Sequence, residues 1–259
     1  MYKEGLSSQG SVIGTNSIFF EEIDSTNDEA KRLLSKSNPT EGTVIYCNRQ
    51  WLGRGQIDSQ WQSDVGKNII LSLIVYPHFL NIEKNFDLNI WVSTAIVDAL
   101  QLLCDDVKIK WPNDIFIGEK KIGGILIENS IRGAQLNSSV IGIGLNVNQT
   151  DFVGLPNATS LAVVTGKENN LMTLSSRILE SLDRMYQSMR YGFSFKDQYL
   201  TFLLGYGQQR WFRDRRNDVT FQGMIQGIDN QGRLQVFSQD GISSFWMKEI
   251  EFLFNTDDQ

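Results

Sequence analysis

The chain of 259 residues has one histidine, two cysteines and four prolines, and these shortages exclude more than its abundances suggest. A single His78 leaves no material for a histidine-rich metal site and speaks against a Ser-His-Asp hydrolase. Cys47 and Cys104 both lie in apolar surroundings and read as buried thiols, in keeping with a reducing cytoplasm. No apolar run approaches the roughly 20 residues that a bilayer demands, and the N-terminus has no basic start followed by an apolar block, so membrane insertion and secretion are not expected. Excess positive charge is also missing. A net charge of −6 opposes nucleic-acid binding, which needs clustered cations to displace counterions. The cluster from Arg210 to Arg216 is diluted by Asp214 and reads as a solvated loop.

What is present is an ordinary hydrophobic fraction of 41%, enough for one substantial core with a small appended domain. Ile18 to Ile23 reads as a strand, and Asp24-Ser25-Thr26-Asn27 as the cap of a helix through about Leu34. Strands are expected over Thr43 to Cys47, Asn68 to Tyr76 and Ser139 to Ile143, the second buried on both faces. Helical spacing marks Ile90 to Leu103, Leu171 to Met189 and a stretch near Phe195 to Leu204. From Asp218 on, short strands are separated by Asp229-Asn230-Gln231-Gly232 and Gln239-Asp240-Gly241, which is hairpin chemistry. A domain boundary is drawn near 207, giving units 1–207 and 208–259.

Lys110-Trp111-Pro112-Asn113-Asp114, followed by Lys121-Ile122-Gly123-Gly124-Ile125-Leu126-Ile127-Glu128, concentrates the chemistry. Pro112 cannot donate to a ladder, so a strand over residues 107 to 111 should end there and project Asn113 and Asp114. Gly118-Glu119 reads as the hairpin tip, with the return strand starting near Lys121. Two lysines beside an Asp and an Asn suit an anionic substrate with Mg²⁺ between phosphate oxygens and the carboxylate. Three further elements accompany this hairpin. Gly53-Arg54-Gly55, with Gln50 before it and Trp61 after it, is either a plain surface turn or a loop whose amides and guanidinium meet an anion. Ser25-Thr26-Asn27 caps a helix whose N-terminus could also meet a ligand. Gly142-Ile143-Gly144-Leu145-Asn146 is an ordinary strand exit or a place where Asn146 orients a phosphate.

In this order the four elements resemble those of the biotin protein ligases, over residues 18 to 204. The resemblance resumes at Gly241-Ile242-Ser243-Ser244-Phe245-Trp246-Met247-Lys248-Glu249-Ile250, which looks like the family's small SH3-like domain. It implies an α+β fold, a mixed β-sheet with packed helices plus a C-terminal SH3-like β-barrel. It also implies the activity: biotin and ATP give biotinyl-5′-AMP and pyrophosphate, and biotin then passes to one lysine of a carboxylase's biotin carboxyl carrier domain. By motif position, Lys121 contacts the reacting carboxylate and phosphate, Arg54 lies in the loop over the adenylate, and Asp114 orients or deprotonates the acceptor amine. Asn113, Asp114 and Asn146 fall where Mg²⁺ and phosphate oxygens are held, with Lys110, Gln56 and Trp61 on the ATP side. Ser25, Thr26, Gln50 and the backbone near Gly53 and Arg54 would bind the ureido ring, while Gly123 and Gly124 leave room for the ring and tail.

One departure stands out. Many relatives carry a second arginine where this chain has Gln56, followed by Ile57 and Asp58; Lys67 or the metal ion is expected to compensate, the alternative being a looser hold on the intermediate. The catalytic pattern starts at about residue 18, so no N-terminal DNA-binding domain is expected. Dimerisation is left open. A lipoate or octanoate ligase and a non-catalytic biotin sensor are the alternatives. The Lys-Trp-Pro-Asn-Asp element weighs against the first, and retention of Asn113, Asp114 and Lys121 against the second.

Overall fold

A computed structural model describes residues 11–56 and 60–254, so Ile57 and Asp58 lie outside the described residues. Seven strands form one sheet in the order β1-β2-β3-β7-β6-β5-β4: Ser17–Ile23, Val44–Gln50, Ile69–Val75, Gln135–Leu145, Lys120–Arg132, Asp114–Ile117 and Val107–Lys110. Only β1 and β2 pair parallel, which makes the sheet mixed. The central strand β3 is buried along its whole length, as its nearly unbroken apolar run requires.

Alternate residues of a strand face opposite sides, and here the two sides have different tasks. Leu71 and Leu73 of β3, Ile125 and Ile127 of β6, and Ile141, Ile143 and Leu145 of β7 join the main core under α2 (Asp87–Leu100) and α4 (Leu171–Arg190). The other side carries a small core under α1 (Thr26–Lys36), built on Ala30, Ile45, Ile74 and Val140, and beside it the face stays open. Helix α1 starts where its sequence says it should. Ser25 is extended at the N-cap and accepts a hydrogen bond from the Asp28 amide, with Asp28 and Glu29 in the first turn.

The structure differs from the sequence reading in four places. The element 107–128 contains two turns, because Asp114–Ile117 is itself a strand: the chain reverses at Trp111-Pro112-Asn113, where the Trp111–Pro112 peptide is cis, and again at Gly118-Glu119. A short helix α3, Leu161–Thr165, was not anticipated. The arginine cluster is not a loop. Gln209–Asp214 forms β8, where Phe212 is fully buried between half-buried Trp211 and exposed Arg213, and Asp214 is paired with Arg216. Finally, β8 to β12 form one antiparallel sheet in the order β11-β10-β9-β8-β12: Gly241–Phe245, Leu234–Ser238, Val219–Ile228, Gln209–Asp214 and Ile250–Leu253. Among the described residues its end strands share no ladder, so the expected barrel is not closed by strand pairing. This second sheet sits near α5 (Lys196–Phe202), and its inner residues Phe212, Ile225, Val236 and Phe245 are continuous with the main core.

Candidate active site

A cavity of about 710 Å³ opens on the α1 side of the large sheet. Its floor is one row of register partners across five strands: Ile70 of β3 opposite Gly144 of β7, Gly144 opposite Gly124 of β6, Gly124 opposite Asp114 of β5, and Asp114 opposite Lys110 of β4. Two adjacent glycines in such a row remove the side chains that would fill the space above the sheet, leaving a trough with charge at one end. A Cβ on Gly144 would lie 2.5 Å from the Trp61 indole, and one on Gly142 would lie 2.5 Å from Asn27 Oδ1. The sequence reading placed Gly123 and Gly124 together at the ligand. Only Gly124 lines the cavity; Gly123 faces the opposite side, against Ile115 and Leu145.

At the charged end, Lys121 Nζ is 2.6 Å from Asp114 Oδ1. A Cβ on Gly124 would come within 3.3 Å of Lys121 Nζ and 3.5 Å of Asp114 Oδ1, so the glycine keeps the pair uncovered. Burial pushes the Lys110 ammonium below the ordinary lysine range, against the attraction of Asp114. Asn113 is buried, and its side-chain amide donates to the Ile125 carbonyl, tying the turn to β6.

The opposite end is organised by α1. Thr26 and Asn27 are joined through Ser72 of β3, whose hydroxyl lies 2.7 Å from Thr26 Oγ1 and 2.6 Å from Asn27 Oδ1. The Asn27 amide donates at 2.8 Å to Glu128 Oε2. Glu128 also receives Lys31 at 3.1 Å and the guanidinium of Arg54, while Asp28 receives Arg54 at 3.0 Å and Lys31 at 2.7 Å. Burial alone would raise the Glu128 carboxyl. The hydrogen bonds from Asn27 and Lys31, with the charges of Lys31 and Arg54, outweigh it and hold the group below the usual range.

The loop carrying Arg54 is closed by a Trp61 to Gly53 backbone hydrogen bond of 2.9 Å and a bridge between Arg54 and Gln60. Gly53 is required there: a Cβ would meet the Trp61 carbonyl at 2.3 Å and Gln50 Nε2 at 2.7 Å. Gly53 itself does not line the cavity, whereas Ser25, Thr26, Gln50, Arg54, Gln56 and Trp61 do. The Trp61 indole N–H is buried with no hydrogen-bond partner among the described residues and is therefore available as a donor. Lys67, expected to replace a missing arginine, pairs with Glu168 at 3.7 Å and is not in the cavity wall.

A glycine trough joining an uncovered Lys-Asp pair to a helix cap and an arginine loop is an arrangement that other proteins share. Residues 19–146 match the Biotin/lipoate A/B protein ligase family. The chain is 34% identical over 247 residues to the bifunctional ligase/repressor BirA of Bacillus spizizenii, covering 93% of this chain and 75% of that protein. The chain belongs to this family. It is also 28% identical over 222 residues to a biotin–[acetyl-CoA-carboxylase] ligase of Paracoccus denitrificans, covering 82% of this chain and 90% of that one. The biotin protein ligase of Aquifex aeolicus, solved in complex with biotin and ATP, superposes with a TM-score of 0.75 at 25% identity, over 91% of this chain and 97% of that one.

Within this family member, three groups of residues in or behind the cavity wall escaped sequence reasoning. Asp28 and Glu128 hold Arg54, and Lys31 pairs with the same two carboxylates, but each reads locally as solvated helix or strand charge. Gly142 and Gly144 line the cavity where Gly123 does not, and their alternate spacing was the available signal. Arg215, Met247, Lys248, Glu251, Phe252 and Phe254 bring the second sheet into the cavity wall, and no local pattern announces them. Asn146 is buried beside the cavity rather than in its lining. Its amide donates to the Thr159 carbonyl at 3.1 Å, and its Oδ1 has no partner. Among the described residues no three acidic, histidine or cysteine side chains gather as a metal site. One cavity carboxylate such as Asp114 nevertheless suits Mg²⁺, which is commonly held by one or two carboxylates and mainly by substrate phosphates.

Proposed function

We propose that this chain joins biotin to ATP, giving biotinyl-5′-AMP and pyrophosphate, and transfers the biotinyl group to a lysine of a biotin carboxyl carrier domain. The observation that carries the reading is the Lys121–Asp114 pair left uncovered by Gly124 at the end of a glycine-floored trough. A neutral bicyclic ring with an apolar tail suits the trough, and a carboxylate and a phosphate suit its charged end.

In the first half-reaction a carboxylate oxygen bonds to the α-phosphorus, the bond from that phosphorus to the α,β-bridging oxygen breaks, and pyrophosphate leaves with the electron pair. Two anions must meet, so the protein's part is positioning and charge neutralisation. Lys121 neutralises the carboxylate and α-phosphate. Arg54 and Lys110 approach the phosphates from opposite walls, with the Gln56 amide and the Trp61 N–H as neutral donors. Ser25, Thr26 and Gln50, with the backbone at Arg54, would bind the ureido group. Mg²⁺ entering with the triphosphate would be held by Asp114, with Asn113 and Asn146 near it, and would supply further neutralisation. In the second half-reaction the acceptor amine attacks the acyl carbon, AMP leaves, and the nitrogen gives up a proton, for which Asp114 is the nearest base on the floor. We retain residues 1–207 as the catalytic unit and 208–259 as the β module.

No helix of the described residues is long and apolar enough to cross a membrane. Both cysteines are free thiols, which supports a reducing, cytoplasmic site of action. The test is labelling of a carrier-domain lysine with biotin, ATP and Mg²⁺, each omitted in turn, alongside pyrophosphate exchange with biotin and with lipoate. Labelling that needs all three components is expected; exchange with lipoate alone would sink the reading.

A further inference from the structure

Lys110 has no carboxylate within ion-pair distance among the described residues. Its ammonium lies instead between two rings, 5.5 Å from the centroid of Phe116 on β5 and 5.2 Å from that of Phe252 on β12. The first ring belongs to the same hairpin as the lysine; the second comes from the other sheet. Phe252 is buried, pairs in register with Phe212, and meets that ring edge-on at 5.2 Å. It also stacks on Phe254 at 6.4 Å, which in turn stacks on Phe116 at 6.1 Å. The rings therefore run without a break from the hairpin into the core of the second sheet.

Other ties hold the hairpin backbone still. The Trp111 indole donates at 2.9 Å to the Gly232 carbonyl, whose residue has φ +82° and lies so close to Phe86 that a Cβ would be 2.2 Å from its ring. Tyr199 donates its hydroxyl to the Pro112 carbonyl at 3.1 Å, and the Leu204 amide donates to Ile109 at 2.8 Å. These contacts place the backbone of 109–112, but they do not touch the lysine head. A lysine on its four-carbon stem has many rotamers, and something must choose one. A carboxylate partner would choose one and cancel the charge in doing so. A ring face attracts the cation through its quadrupole and leaves the charge intact.

We propose that Phe252 is a positioning residue for ATP, holding Lys110 over the charged end of the cavity with its full charge directed at the nucleotide phosphates. This rests on the reading of Lys110 as a phosphate ligand. The groups that face the ammonium are Asp114 and Glu251, which attract it, and Lys121, which repels it. Glu251 is itself paired to Arg215 at 2.9 Å, so the second sheet supplies a ring rather than a free counter-charge.

Biotin-dependent ATP–pyrophosphate exchange in the full chain tests this. Phe252→Leu should raise KM for ATP by about 3-fold to 30-fold, the range of cation–π attraction from exposed to desolvated sites, with KM for biotin unchanged. Phe252→Tyr should restore the parental value within about twofold, since its ring keeps the negative face. Fluorinated phenylalanines incorporated at position 252 keep the shape while draining the ring face, and KM for ATP should climb with each added fluorine even if the leucine variant folds poorly. In a Lys110→Ala background, Phe252→Leu should add nothing. A flat fluorine series, an equal rise in KM for biotin, or a persistent effect in the Lys110→Ala background would overturn the proposal. If Lys110→Ala alone leaves KM for ATP unchanged, the assignment of Lys110 to the phosphates fails first, and the role of Phe252 with it.

Discussion

Two cations face the same cavity from opposite walls and are held in opposite ways. Arg54 sits in a loop, 44% exposed, clamped by Asp28 and Glu128 with Lys31 bridging the same two carboxylates. Lys110 sits at a strand end, between buried rings. The first arrangement is a neutral cluster of two positive and two negative groups, partly in water and screened by salt. With Lys31 there to keep the carboxylates company, Arg54 can leave them at little cost. The second has no counter-ion at bonding distance among the described residues and is flanked by two ring faces. An adjustable cation suits a loop that must admit and release ligand, and a fixed one suits the end where phosphates must land in register.

The sharpest way to break this comparison is to remove the residue between the walls. Lys121→Ala should lower adenylate formation by about 10³-fold or more, the scale at which a developing charge loses its stabiliser. Its melting temperature should change by only a few degrees, because the Lys121–Asp114 pair is part-exposed. Near-parental adenylation in a folded Lys121→Ala protein, followed by quench and chromatography, would contradict the assignment. Next in size is the loop wall. Arg54→Ala should release biotinyl-adenylate into solution roughly 10- to 100-fold faster, as loss of a charge-assisted contact implies, with less effect on its formation. Freeing the guanidinium from one carboxylate by Glu128→Gln should work the other way and slow leakage severalfold; faster leakage would mean that the clamp orients Arg54 rather than competing for it.

The fixed wall is sharpened by pH. Burial lowers the Lys110 pKa, so its proton is lost at lower pH than an ordinary lysine's. KM for ATP should therefore rise with pH on a limb that begins below the usual lysine range of about 10.4, and Lys110→Ala should abolish that limb. The smallest effect concerns how the loop wall is anchored. Asp24 accepts two hydrogen bonds from Arg32, at 2.8 and 2.7 Å, and its carbonyl accepts from the Leu52 amide at 2.9 Å. The Arg32 guanidinium depresses its carboxyl to about 2. A depressed folded pKa contributes stability above the unfolded value, lost as pH falls through the folded one. Asp24→Asn should thus lower the melting temperature by about 1–3 °C at pH 7, a difference that closes by about pH 2.

Local chemistry was largely legible. Ser25 caps α1 as its residue type requires, and the period-two spacing of Gly142-Ile143-Gly144 sets both glycines on one sheet face. What failed is instructive. Gly123 and Gly124 are neighbours in sequence and so cannot share a face, yet which one meets the cavity depends on register with β7. Charge dominates the composition of the arginine cluster, although buried Phe212 and Asp214 flank exposed Arg213 in the pattern of a strand. Lys67 is close to the loop in sequence and turned away from the cavity in space.

The sequence by itself determined the family, the helix cap, the strands with their glycines, and the grouping of Lys110, Asp114 and Lys121 on adjoining strands, because each of these follows from residue type and spacing over a few positions. Only the tertiary structure decided which glycines open the trough, that Glu128 reaches Arg54 across 74 residues, and that a phenylalanine at 252 meets a lysine at 110. Those outcomes depend on strand register and on the packing of one sheet against another. Such contacts are selected by the whole core at once, so no short window of sequence contains them.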